Sequence, residues 1–148
     1  MRILVAVGLL VGLSVVSSQP LQAQSNEQAV DAAKQAAQEW LDLFDARKLE
    51  ATWENASPYF KSQISAEQWV ARIEQMRTQR SVLDSLRSRS LVAARYTTSL
   101  PKAPDGEYVV VQYEGQYADE SWAETVTLKK GSEGWRVAGY FMKPTDQQ

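Results

Sequence analysis

The chain has 148 residues, with 16 basic and 18 acidic side chains and a net charge of −2. It has no histidine and no cysteine, which excludes Ser-His-Asp and Cys-His nucleophile systems, zinc sites built on imidazole or thiolate, and disulfides. The mixed, mildly acidic charge argues against nucleic acid or an anionic membrane as the main partner, because both call for a basic patch.

Residues 1–23 read as a signal segment. Arg2 supplies the positive start, and Ile3 to Val16 is an apolar run broken only by Gly and one Ser. "SSQPLQAQ" then places Pro20 ahead of a small residue, Ala23. The run fits a signal h-region of ~7–15 residues and is shorter than the about 20 residues of a spanning helix. The expectation is a periplasmic or secreted protein cleaved after about Ala23. Retention as an uncleaved anchor is the alternative, and the only route to a membrane. Residues 24–148 then form a single domain with its core at about 28–142 and a frayed tail. The composition offers 15 basic and 18 acidic residues there, a net charge of −3.

In "SNEQAVDAAKQAAQEWLDLFDARKLE", Val30, Ala33, Ala37, Trp40 and Phe44 recur at spacings of three and four, one face of an α-helix. Ser25 or Asn26 is the expected cap, and Arg47 and Lys48 close the helix. A short helix carries Trp53 and Ala56. Ser57-Pro58 restarts it, with Ser57 as N-cap, Pro58 at the first helical position and Phe60 packing behind. Ser65 and Gln68 form a capping box ahead of Trp69, Ile73 and Met76, with Val70 beside the stripe. Arg72, Arg77 and Arg80 read as a solvated face.

The period then changes from 3.6 to 2. "SRSLVAARYTTSL", "EYVVVQYEGQY", "ESWAETVTLKK" and "GWRVAGYFM" are four strands, joined by "PKAPDG" and "KGSEG" at the first and last hairpins. Helices first and strands second make an α+β chain: three N-terminal helices packed on a curved four-stranded antiparallel sheet. Residues 107–117 would extend about 36 Å at ~3.3 Å per residue, roughly twice an ordinary strand. Such a strand must bend, and Gly115 is the expected bulge. Helices on the concave side of a bent sheet imply a hollow between the two layers.

"YTTSLPKAPDGEYVVVQYEGQYADESWAETVTLKKGSEGWRVAGYFM", with "EQW" upstream, resembles the bacterial exported family catalogued as domain of unknown function 4019, whose members resemble the nuclear-transport-factor-2-like, cystatin-like cone fold. The resemblance covers roughly residues 28 to 142. It implies a fold and an exported location and no activity.

No Gly-rich phosphate loop and no D-x-D-x-D-G loop is present. No metal and no cofactor is expected, and "DGEY" at 105–108 reads as hairpin chemistry. Alternation puts Trp122, Glu124, Val126 and Leu128 on one face of the third strand. Glu124 therefore sits among core-facing residues and needs a partner, with Arg95 and Arg136 as candidates. On the second strand Val109, Val111, Tyr113 and Tyr117 face inward, with Tyr113 the better pocket candidate. On the fourth, Trp135, Val137, Gly139 and Phe141 share one face. Arg136, Ala138, Tyr140 and Met142 take the other. Tyr113, Glu124, Arg95 and Trp135 are the candidate ligand contacts, and Glu124 is the one candidate catalytic group. The five tryptophans read as core first and aromatic cage second. Three functions follow: a small exported binding module for an unknown small molecule or protein, without catalysis; an isomerase or hydrolase with Glu124 as base and Tyr113 as donor; or a homodimer subunit pairing through the outer sheet face.

Overall fold

The computed structural model describes residues 21–145. The signal reading of residues 1–23 lies outside the described residues up to residue 20, as do the last residues of the tail, 146–148. The order is α1 (Leu21–Asp45), α2 (Leu49–Glu54), α3 (Pro58–Gln63), α4 (Ala66–Gln79), a 3₁₀ turn (Ser81–Asp84), then β1 (Leu86–Thr97), β2 (Tyr108–Tyr117), β3 (Glu120–Gly131) and β4 (Gly134–Pro144). The α+β order stands, and the sheet is an antiparallel meander, β1-β2-β3-β4. Among the described residues no helix is long and apolar enough to cross a membrane.

The helices form where apolar spacing and capping agree. α1 buries Ala33, Ala37, Trp40, Leu41 and Phe44. It starts at Leu21, so Ser25 and Asn26 lie within it and neither caps it; Leu21 to Gln24 are adequate helix formers and extend the spiral by a turn. Its end is sharp. Arg47 takes φ +60°, and the Lys48 N–H reaches back to the Leu43 carbonyl at 2.9 Å, a Schellman closure. The middle helical segment divides into α2 and α3. Ser57 caps α3 by accepting from the Phe60 N–H at 3.1 Å, with Pro58 at the first position. The Ser65–Gln68 capping box opens α4.

Among the described residues aromatic side chains fill the centre of the space between helices and sheet, so the expected hollow is reduced to clefts at its margins. Trp40 stacks on Phe44 at 5.5 Å, Phe60 meets Trp69 edge-on at 5.1 Å, and Tyr140 rises from the sheet to within 4.8 Å of Phe44 and 5.3 Å of Trp40. Burying rings of this size is the main source of stability open to a small domain without disulfides. Their N–H groups are satisfied within the core. Trp40 Nε1 donates to the Thr52 carbonyl at 2.9 Å, and Trp69 Nε1 to Thr52 Oγ1 at 2.9 Å.

Bulges fall elsewhere than Gly115. β2 and β3 pair without interruption, Gly115 opposite Trp122 and Tyr113 opposite Glu124. The register shifts are on the outer strands: between Leu86 and Ser88 and between Leu91 and Ala93 on β1, and across Ala138 on β4, where Thr127 pairs with Gly139 and Leu128 with Val137. An extra residue reverses which face the following side chains take. Val137 is buried before the bulge, Tyr140 joins the core after it, and Phe141 is 62% exposed. The alternation that groups Phe141 with Val137 is therefore overturned beyond residue 138.

The phase that the bulge sets is checked by two truncations. Tyr140→Ala should cost several kcal/mol in urea denaturation, on the order of a large-to-small core change, and Phe141→Ala should cost much less. The reverse order would show that the bulge does not set the phase of β4.

Candidate functional site

Glu124 is fully buried, as its place in β3 predicts. Its cation is Arg89, not Arg95 or Arg136. Arg89 Nη2 lies 3.1 Å from Glu124 Oε2, and Arg89 Nε donates to both carboxylate oxygens at 3.2 Å. The register explains the choice. Arg89 pairs with Gly115 on β2, and Gly115 carries no side chain to block the path to β3. Arg95 pairs with Val110, whose β3 partner is Thr127, and Arg136 pairs with Lys129. Both arginines lie further along the sheet from Glu124. Arg136 binds Glu133 at 2.9 Å instead.

Gly115 does more than clear a path. A Cβ there would stand 2.6 Å from Glu124 Oε1 and 2.7 Å from the Tyr117 ring. Into this space two hydroxyls converge. Tyr117 donates to Oε1 at 2.8 Å, and Tyr140 donates to Oε2 at 3.0 Å. The far side of the Arg89 guanidinium is held by Asp45, the last residue of α1, with Nη1 at 2.7 Å from Oδ2 and Nη2 at 3.0 Å from Oδ1. A carboxylate at a helix C-terminus is disfavoured by the helix dipole, and this bidentate pair offsets that cost.

The electrostatics follow from burial and from the charges of the cluster. Burial works against the Arg89 cation, but the hydrogen bond to Asp45 and the charge of Glu124 outweigh it, so its pKa is raised. Burial, then the Glu124 charge, raise both Tyr117 and Tyr140, with Tyr140 held well above the ordinary 10.0. Tyr113 is raised by burial, with Arg89 opposing and Glu124 adding. The arrangement keeps the tyrosines as donors and Glu124 as a fully engaged acceptor. Tyr113 faces Glu124 across the ladder, yet the bonds to the carboxylate come from Tyr117 and Tyr140.

The four sequence candidates thus separate into three places. Glu124 and Tyr113 are interior. Arg95 lines an open cleft of about 570 Å³ with Ala94, Tyr96 and the start of α1. Trp135 lines a groove of about 390 Å³ between α1 and β4, floored by Ala36, Trp40, Leu43 and Val137 and edged by Glu39, Asn55 and Arg136. Asp45, Arg89 and Tyr140 escaped the sequence reading. For Arg89 the available signal was the lone glycine on the core face of β2. A further correction concerns Arg77, which is not solvated. It donates to the Phe44 carbonyl at 3.1 Å and to Asp84 at 2.9 Å. Its spacing of four from Ile73 places it beside the buried stripe. At the "DGEY" turn, Glu107 accepts from Tyr96 at 3.1 Å and pairs with Lys130 at 3.3 Å. Among the described residues no group of three or more acidic side chains is placed to hold a metal.

The family model described as protein of unknown function (DUF4019) matches residues 36–140. Neither the curated proteins nor the solved structures give a match.

Two measurements check the cluster. Glu124→Gln should cost about 3 kcal/mol in urea denaturation, since it removes one partner of a buried charge pair, and Gly115→Ala should also destabilise. Gly139→Ala should be nearly neutral, because its added Cβ meets only Thr127 at 3.7 Å. The second is alkaline titration. Tyrosines raised in the folded state and ionising near 10.0 when unfolded contribute stability that is complete below pH about 10 and lost as pH rises further, by up to ~1.4 kcal/mol per pH unit each. Tyr117→Phe with Tyr140→Phe should lower stability at pH 8 and flatten this alkaline decline. An unchanged slope would disprove the assignment.

Proposed function

We propose a binding role without catalysis for this chain, which belongs to the DUF4019 family. The observation that carries it is the division between interior and rim. The buried carboxylate that would serve as a base is occupied by Arg89, Tyr117 and Tyr140, whereas accessible volume lies along α1. A general base must reach the proton that it takes, and Glu124 lines none of the clefts that flank α1 or β4.

The groove between α1 and β4 fits a ligand best. Its floor is apolar and aromatic, and its rim carries Arg136, Glu39 and Asn55. A few polar groups around an apolar floor is the usual composition of a small-molecule site. The groove suits a flat apolar body bearing an acidic group that Arg136 can meet. A homodimer through the outer sheet face is less well supported. That face offers Phe141 as its large exposed apolar residue, beside Thr125 and Thr127 of β3, and a stable apolar contact needs a broader patch.

The same reading makes the protein bacterial and exported, with a cone-like sheet akin to the nuclear-transport-factor-2-like fold. Cleavage after Ala23 would leave all the buried residues of α1 in place, since the first is Ala33.

Anilinonaphthalene sulfonate, a flat apolar probe with one negative group, should bind the folded protein saturably. Trp135→Ala should weaken binding about fivefold and Arg136→Gln about twofold, with the fold intact by circular dichroism. Equal affinity in parent and Trp135→Ala would remove the groove from consideration. Mass spectrometry of the protein recovered from the host envelope or medium should show a chain beginning at Gln24. Recovery from the cytoplasm with residues 1–23 attached would refute export.

A further inference from the structure

The sheet has two edges, and they are treated differently. On β4, the Ser57 N–H donates to the Val137 carbonyl at 2.8 Å, so α3 covers part of that edge. Among the described residues no backbone hydrogen bond reaches the free edge of β1. An open strand edge is a template for another extended chain.

The side chains of β1 set its character. The strand reads "LRSRSLVAARYT", three arginines and no acid. Arg89 is committed to Asp45 and Glu124. Arg87 and Arg95 are exposed, and neither has an ion pair among the described residues. Between them Leu91 is 50% and Val92 64% exposed, two of the large apolar side chains that the described surface leaves open. Arg87 and Val92 are also the unmatched residues of the two β1 register shifts. Bulges re-aim side chains or end pairing at sheet edges. The result is a basic, apolar, basic sequence along about 25 Å of strand, at ~3.3 Å per residue.

We propose that the free edge of β1 receives an extended acidic segment of a partner protein, with an apolar residue against Leu91 and Val92 and carboxylates toward Arg87 and Arg95. Backbone pairing supplies affinity in such strand addition, and side chains supply selection. A second copy is a poorer occupant. Antiparallel pairing of two β1 strands sets arginine against arginine with no acid on either strand, and like charges across a ladder destabilise it. The Arg95 end is partly neutralised already, because Glu27 and Asp31 of α1 line the same cleft, with Asp31 bound to Lys34 at 2.8 Å. Arg87 therefore carries more of the recognition. The strip lies on the sheet edge opposite the α1–β4 groove and does not depend on that groove being occupied.

The test uses the full chain and a fluorescein-labelled peptide with two glutamates at each end and Thr-Val-Ile-Thr at its centre, read by anisotropy. A peptide with lysines in place of the glutamates is the control. The acidic peptide should bind at least about tenfold more tightly than the basic one, and the preference should fall as salt rises. Arg87→Glu with Arg95→Glu should weaken it by about tenfold, with Arg87→Glu alone giving the larger share. The β1 amides should gain protection from hydrogen exchange when the peptide is bound. Equal binding of both peptides overturns the proposal, as does binding indifferent to the two arginines. If Arg87→Ser with Arg95→Ser instead produces a dimer and leaves peptide binding unchanged, the arginines only guard the edge, and the proposal is equally overturned.

Discussion

A single carboxylate collects hydrogen bonds from every other strand of the sheet. Glu124 on β3 receives Arg89 from β1, Tyr117 from β2 and Tyr140 from β4. Through Arg89 it is tied to Asp45 at the end of α1. Removing a charge from water is costly, and the cost is offset only when each lone pair is engaged. The demand therefore fixes several otherwise separate features. Gly115 must lack a side chain, β4 must bulge so that Tyr140 points inward, and α1 must stop at Asp45. The left-handed Arg47 that ends α1 is itself anchored to Asp84 at 2.6 Å. An apolar replacement of the whole cluster at equal volume can bury as well, whereas removing one member leaves an uncompensated buried charge.

The aromatic layer above the sheet completes this logic. Tyr140 belongs to both systems, its hydroxyl on Glu124 and its ring against Trp40 and Phe44. Thr52 plays the matching part among the helices, joining the indoles of Trp40 and Trp69. With the interior closed in this way, open space remains in the grooves beside α1, and the sheet edge of β1 stays unpaired among the described residues.

Much of this was legible in the residues. The Ser57-Pro58 restart, the Ser65–Gln68 box and the spacing of Trp69 and Ile73 gave the helices, because caps and 3.6 periodicity are local signals. Alternation gave the burial of Glu124, because β3 keeps an unbroken register with β2. The partner of Glu124 was not legible. It depends on which residue of β1 lies across from Gly115, and two one-residue shifts on β1 move that assignment without leaving a mark such as Gly or Pro. Tyr140 was hidden for the same reason, since Ala138 looks like any other strand residue. The filled interior was harder still. Alternation says which side chains point inward, and not whether their volumes close the gap.

The bulges themselves follow a rule. The central pair, β2 and β3, carries the carboxylate, its facing Tyr113 and the essential glycine, and a slip of one residue there would expose them all. Irregularity is confined to β1 and β4, each of which has only one neighbour to satisfy. On β4 the extra residue serves the core by turning Tyr140 inward. On β1 the extra residues serve the interior in the same way. The one at Arg87 lets Leu86 and Arg89 both face inward, and the one at Val92 turns Ala94 and Tyr96 toward the core. The bulged residues themselves, a cation and an aliphatic side chain, are thereby left exposed at the rim, so core packing on one side of β1 sets what its free edge presents on the other.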